Sequence, residues 1–262
     1  MAIRWTTAML DLPPADLDAT LAFWLGVTGT SLSPWRGDDD EFATLVAPDG
    51  DDFLRVQRFA DGPRVHLDLH VGDDEAVRAE LVRALALGAG LEHDARTHVV
   101  LSSPGGYVFC LVRDAGHARR PGAVRVQTPA RSDEPRAVAT ALVDQLCLDV
   151  PRASFAAEVE FWSALTRWPA HTGSRDEFVV LDRPDGMPLR LMVQRLGDDD
   201  PRREVTAHLD LATTRRAALA RVHVAAGARV LADGPRWTTL ADPSGHPYCL
   251  TDRDPTTGRL PD

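Results

Sequence analysis

Lysine and asparagine are absent from the 262 residues, and isoleucine occurs once, as Ile3. The missing lysine excludes Schiff-base catalysis and a phosphate-binding P-loop, since both depend on a primary amine. Cysteine is scarce: three residues, Cys110, Cys147 and Cys249, with no CxxC spacing, which fits a reduced compartment. No apolar run reaches the roughly 18 residues needed to span a bilayer. Residues 1–14 lack the charged-then-apolar layout of a signal peptide, so a cytoplasmic location and no membrane partner are expected. Basic residues are outnumbered, 29 against 39 acidic, giving a net charge of −10. With no basic stripe, such a chain repels a phosphate backbone, and nucleic acid is not an expected partner. The dinucleotide fingerprint, the nucleophile elbow and HExxH are also missing. What is present is an ordinary globular composition, 44% apolar and 26% charged, sufficient to bury a core.

The chain repeats itself. Asp11-Leu12-Pro13 followed by Phe23-Trp24 recurs 138 residues later as Asp149-Val150-Pro151 followed by Phe161-Trp162. Glu41-Phe42 and Pro48-Asp49-Gly50 recur as Glu177-Phe178 and Pro184-Asp185-Gly186, and Gln57-Arg58 recurs as Gln194-Arg195. His66-Leu67-Asp68-Leu69 recurs as His208-Leu209-Asp210-Leu211. Ser103-Pro104-Gly105-Gly106 with Cys110-Leu111 recurs as Asp242-Pro243-Ser244-Gly245 with Cys249-Leu250. The matches are collinear, and their offsets drift as loop insertions would make them drift. The expected division is a first domain over 1–115, a polar Arg- and Pro-rich linker over 116–136, a second domain over 137–254 and a frayed tail over 255–262.

Within a repeat, residues 5–12 and 138–148 alternate as strands. A helix follows, with Asp16 as N-cap and Leu17, Leu21, Trp24 and Leu25 on one face; its counterpart starts at Ser154 and presents Phe155, Val159 and Trp162. Two strands then flank a Pro-Asp-Gly turn. The pattern restarts with a strand at 65–71, a helix from about Asp73 to Leu87 closed by Gly88, and two final strands; the second helix recurs from about Thr213 to Ala226, closed by Gly227. The chain thus holds four modules of strand, helix and two or three strands, an α+β design.

The Phe-Trp pairs, the strand-opening His-Leu-Asp-Leu, the glycine after the second helix and the Asp-Pro-Ser-Gly-x-x-x-Cys ending together resemble the vicinal-oxygen-chelate superfamily of glyoxalase I, extradiol dioxygenases, bleomycin-resistance proteins and fosfomycin-resistance enzymes. The resemblance covers nearly all of both repeats. It implies two tandem glyoxalase-like domains, each of two βαβββ modules forming a cupped mixed sheet around a pocket. The pairing of modules, within a repeat or across the two, stays open at this level, as does the choice between monomer and homodimer.

The resemblance also implies four pocket positions per domain. They fall on Met9, Gln57, His66 and Cys110 in the first and on Cys147, Gln194, His208 and Cys249 in the second. The family's metal enzymes carry His, Gln and Glu there, and here the glutamates at the fourth position are replaced by cysteine. That departure disfavours glyoxalase- or dioxygenase-type metal catalysis, which needs hard oxygen and nitrogen donors around an open ion. No cofactor is expected; the variant set Cys147, His208 and Cys249 is a zinc candidate, and pairing of modules across the repeats would instead bring Cys147 beside His66 and Cys110. Each strand-opening histidine shares its face with an acid, Asp68 or Asp210, so His66, His208 and Asp210 are the acid–base candidates, against the plainer reading of satisfied core histidines. Trp24 and Trp162 read as core, Trp168 and Trp237 as candidate aromatic surface. His93, His98, His117, His171, His223 and His246 read mostly as surface residues. The expected function is binding of a small oxygen-rich or aromatic molecule, a metabolite or antibiotic, without the usual metal. The alternative is a lyase, isomerase or dioxygenase-type enzyme using a Cys/His metal site or a His/Asp pair.

Overall fold

The computed structural model describes residues 3–95, 97–130 and 136–261. The first repeat runs β1 (Trp5–Leu12), α1 (Leu17–Thr28), β2 (Ser31–Leu32), β3 (Phe42–Val46), β4 (Leu54–Arg58), then β5 (Arg64–His70), α2 (Asp74–Ala86), β6 (Gly90–Asp94), β7 (His98–Ser102) and β8 (Val108–Val112). After β9 (Val124–Thr128), the second repeat runs β10 (Ala137–Val150), α3 (Phe155–Thr166), β11 (Ala170–Thr172), β12 (Phe178–Leu181), β13 (Arg190–Arg195), then β14 (Thr206–Thr213), α4 (Arg216–Ala225), β15 (Arg229–Asp233), β16 (Trp237–Ala241) and β17 (Pro247–Thr251). The βαβββ module therefore occurs four times, and the fold is α+β.

Two mixed sheets form, ordered β2-β3-β4-β1-β5-β8-β7-β6 and β11-β12-β13-β10-β14-β17-β16-β15, with β9 paired to β10. In the first, β5 pairs parallel with β8, and in the second, β14 pairs parallel with β17. A parallel pair needs a long crossover, and α2 with β6–β7, or α4 with β15–β16, provides it. β1 is buried along its full length, as is all of β5 after Arg64, so these central strands carry polar residues, among them Asp11, His66 and Asp68, into the interior. The outermost strands β6 and β15 are exposed throughout.

Local signals explain most boundaries. The Asp73 carboxylate accepts from Ala76 N at 3.0 Å and caps α2. Asp16 and Ser154 occupy cap positions but make no side-chain cap bond. Gly88 and Gly227 adopt φ of 100° and 111° just beyond α2 and α4. The segment read as a linker is not bare coil: β9 lies in it and pairs with the start of β10, Ala139 opposite Val126. Residues 131–135 of that segment lie outside the described residues. Nor is the tail frayed at its start, because the Asp254 side chain accepts from Thr256 N and Thr257 N at 2.9 and 2.8 Å and closes a turn.

The compact units do not coincide with the repeats. Unit 1 comprises Met1–Met9, Val65–Arg120 and Leu146–Ala207; unit 2 comprises Leu10–Arg64, Pro121–Gln145 and His208–Asp262. Each unit joins a first-half module of one repeat to a second-half module of the other, so the modules pair across the repeats. In unit 1, Trp162 is fully buried, with the Phe109 ring 5.1 Å away. Its Nε1 donates to Glu158 Oε2 at 2.7 Å, and Glu158 Oε1 accepts from Gly105 N at 2.6 Å. A Cβ on Gly105 would sit 2.6 Å from Val205 Cγ2 and 2.9 Å from Glu158 Oε1, so only glycine permits this approach. In unit 2, Trp24 is fully buried beside Tyr248 at 5.4 Å, and its Nε1 donates to Asp242 Oδ2 at 2.9 Å. His223, read as a surface residue, is instead 1% exposed and shares a hydrogen bond of 2.9 Å with the Tyr248 hydroxyl. It lies on the inward face of α4, where Phe23 covers it.

Two expectations follow from these cores. Glu158→Ala should lower the unfolding free energy by about 2–3 kcal/mol, since the buried Trp162 indole and the part-buried Gly105 amide lose their acceptor; an unchanged denaturant midpoint would contradict it. Burial lowers the His223 pKa from 6.5 to about 4. Between those values the unfolded chain holds a proton that the folded chain does not. The stability associated with neutral His223 is complete above pH 6.5 and is lost as pH falls toward 4, by up to about 1.4 kcal/mol per pH unit. Denaturant titrations at pH 7 and 4.5 should show this slope, flattened in His223→Gln.

Candidate functional site

The strand-opening histidines, the acids two residues on and the cysteines of the parallel partner strands come together in each repeat. In unit 1, His66 and Asp68 lie on β5, and Asp68 stands opposite Cys110 of β8 in the parallel register. His66 Nε2 is 3.7 Å from Asp68 Oδ1, and donor atoms of His66, Asp68 and Cys110 lie within 4.8 Å of one another. All three are buried, as is Met9. Unit 2 reproduces the group with His208 and Asp210 on β14 and Cys249 opposite Asp210 on β17. His208 Nε2 is 3.3 Å from Asp210 Oδ1 and 3.7 Å from Cys249 Sγ, while the Thr239 hydroxyl is 3.4 Å from that sulfur. Alternation along a strand puts i and i+2 on one face, which is why His-x-Asp delivers both groups together.

The remaining expected pocket residues distribute by unit. Gln57 belongs to unit 2, and Cys147 and Gln194 to unit 1. Cys147 is fully buried, and its Sγ donates to Gln194 Oε1 at 3.6 Å. Of the zinc candidates Cys147, His208 and Cys249, the first lies in unit 1 and the other two in unit 2. Trp168 is buried rather than displayed, and His246 is buried as well.

A buried charge network sets the electrostatics of the unit 2 group. Arg253, just past β17, is 5% exposed. Its Nη2 bonds Asp144 Oδ1 at 2.5 Å and its Nη1 lies 3.5 Å from Asp210 Oδ2. Gln145 Nε2 donates to the same Asp210 oxygen. Burial alone would lower the guanidinium pKa, but Asp144 and Asp210 outweigh it and raise it, so the cation persists. Nothing in the sequence marked Arg253 or Asp144, whose partners are 109 residues apart.

The donor set of these groups departs from the family's. The family positions supply thioether, thiol, amide and imidazole, with no carboxylate. The carboxylates that do approach come from Asp68 and Asp210, and Asp210 is already neutralised by Arg253. A hard divalent ion selects oxygen and nitrogen donors, so these residues do not fit the family's metal centre.

Unit 1 also has an open cleft of about 480 Å³ lined by Arg152, Glu177, Gln194, Arg195, Leu196, Gly197, Asp198, Asp200 and Arg202. Arg152 is tied to Asp198 at 2.8 Å, and Arg202 to Asp200 at 2.8 Å and Asp149 at 3.1 Å. The hydrogen bonds from Arg202 hold the Asp200 carboxyl down at about 2. Arg195 has no carboxylate partner among the described residues; its guanidinium carbon sits 5.9 Å from the centre of the Phe155 ring. Arg195 follows Gln194 directly at the end of β13, a position the Gln-Arg repeat marks, although only Gln194 was expected at the site. The apolar cavity of unit 2 beside Val27 and Leu211 holds only about 20 Å³, room for one water and no larger ligand.

The comparisons agree with the fold. The family defined as Glyoxalase-like domain matches residues 7–112 and 145–251. No curated protein sequence matches the chain. Among solved structures, the chain is similar to the Mn(II)-bound glyoxalase of Novosphingobium aromaticivorans, with 17% identity, a TM-score of 0.60, and coverage of 99% of this chain and 86% of that one. It is also similar to the 2,3-dioxygenase LapB of Pseudomonas sp. KL28, with 13% identity, a TM-score of 0.63, and coverage of 96% and 92%. A third is 2,2',3-trihydroxybiphenyl 1,2-dioxygenase of Sphingomonas wittichii strain RW1, with 13% identity, a TM-score of 0.61, and coverage of 99% and 95%. At these identities the likeness is one of fold. Among the described residues no helix is long and apolar enough to cross a membrane. With two family matches spanning most of its length and the βαβββ module present four times, the chain belongs to the glyoxalase-like domain family.

Proposed function

We propose that this protein binds a small oxygen-rich or aromatic anion, of metabolite or antibiotic size, in the unit 1 cleft, and does so without a metal of the family's usual kind. The observation that carries this reading is the pairing of Gln194 and Arg195 in that cleft. Cys147 engages Gln194 Oε1, which turns the amide. Arg195 offers a guanidinium that no carboxylate of the described residues neutralises, beside the face of Phe155. A planar fork of donors suits a carboxylate or vicinal oxygens, and the volume is that of an ordinary small-molecule site. The altered donor sets at His66 and His208 support the metal-free part, since substrate oxygens have no hard ion to chelate there.

Thermal-shift screening against aryl carboxylates, polyphenols and oxygenated antibiotics tests it. A binder at one hundred times its Kd should stabilise the protein by about 2.7 kcal/mol. Gln194→Ala and Arg195→Ala should each weaken that binding at least tenfold while leaving the unliganded melting temperature unchanged, and prior dialysis against EDTA should make no difference. Equal binding by both variants, or no stabilisation by any of these classes, would overturn the reading.

A further inference from the structure

The first repeat carries a second polar cluster, away from the positions its family uses. His70 ends β5 and is 1% exposed; its Nε2 is 2.9 Å from the Thr7 hydroxyl, which fixes the ring. Asp114 lies two residues past β8 and is anchored by its backbone N, which donates to Gly72 O at 2.9 Å. Gly116, at φ 86°, turns the chain so that His117 comes back over the carboxylate. His117 Nδ1 is 3.8 Å from Asp114 Oδ1, and the His117 ring stacks on Trp5 at 5.5 Å and meets His70 edge-on at 5.2 Å. Donor atoms of His70, Asp114 and His117 all lie within 4.8 Å of one another, inside unit 1.

The second repeat shows what this spot carries when it is filled from within. By the strand offsets, Asp114 corresponds to Arg253, Thr6 to Asp144, and His70 to Ala212. There a guanidinium lies between two carboxylates. In the first repeat the guanidinium is gone, a carboxylate stands in its place, and two imidazoles face it. Arg4, with a side chain 57% exposed, reaches only the outer oxygen, Asp114 Oδ2, at 3.7 Å. The inner oxygen, Oδ1, accepts from Gly116 N at 3.2 Å and faces His117.

We infer that His70, Asp114 and His117 form a divalent-metal site, with zinc the ion that the donor set fits. Two imidazoles and one carboxylate are a three-ligand set that leaves a fourth position for water or a small oxygen ligand. Zinc bonds of about 2.0–2.1 Å place tetrahedral donors roughly 3.4 Å apart, so the present spacings close with small side-chain rotations. The Thr7 contact is the kind of outer bond that orients a ligating histidine. The site differs from the His66 group in having no sulfur donor, and that difference gives it a spectroscopic signature.

Cobalt(II) titration of untagged full-length protein tests this. The expected result is one equivalent bound, with the strong visible absorption of a four-coordinate ion and no thiolate-to-metal charge-transfer band. His117→Ala and Asp114→Asn should weaken cobalt binding at least 100-fold. His117 sits in a loop, so its variant should keep the wild-type circular dichroism and melting temperature in EDTA. Cys110→Ser should bind cobalt as the wild type does. Less than a tenth of an equivalent bound, undiminished binding by His117→Ala, or a thiolate band lost in Cys110→Ser would each overturn the assignment, the last by moving the ion to the His66 group.

Discussion

Each compact unit is organised around a fully buried tryptophan whose indole N–H ends on a buried carboxylate. An indole gains much from burial but cannot leave its donor unpaired in a dry core, so the acceptor's position is a constraint on everything near it. In unit 1 the acceptor is Glu158, one helical turn before Trp162, and its other oxygen holds Gly105 N. In unit 2 it is Asp242, whose second oxygen also takes Ser244 N and His246 N at 3.0 Å each. Both carboxylates come from the second repeat: Glu158 stands where the first repeat has Thr20, and Asp242 where it has Ser103. The duplicated copies have thus diverged so that each unit receives one acid, delivered from the helix in one case and from the turn in the other.

The same division of labour appears at the sites. The scaffold delivers a histidine, an aspartate and a cysteine to neighbouring strands in both repeats, but their surroundings differ. In the second repeat Arg253 balances Asp144 and Asp210 and locks the group into a packed network. A buried ion pair of this kind costs desolvation, and it lasts because removing either partner would strand a charge. In the first repeat the residue equivalent to Arg253 is Asp114, and histidines gather around it. One copy has buried its cation as a side chain; the other has arranged donors for a cation from outside.

Much of the architecture was legible in the residues. The four βαβββ modules follow from collinear repeats and from local periodicity, and the His-x-Asp face follows from strand alternation. Asp73 and Gly88 bound α2 as local capping chemistry predicts, whereas Asp16 and Ser154 hold cap positions without cap bonds, since the propensity of a residue does not fix its rotamer. His223 was misread because one histidine in an amphipathic helix gives no indication of which face packs. Arg195 was not among the expected pocket residues, although Gln194 beside it was, because only the fold forms a cleft at the end of β13.

The amino-acid sequence by itself determined the module, its duplication and the identity of the donors on each strand, since these depend on neighbours one to four residues apart. Tertiary structure alone decided that modules pair across the repeats, that Glu158 and Asp242 receive the two indoles, that Arg253 neutralises Asp210, and that His70, Asp114 and His117 converge. Each of those joins groups many tens of residues apart, or turns on a loop's path. Contacts of that range are selected by burial and charge balance in the folded chain, and no local pattern encodes them.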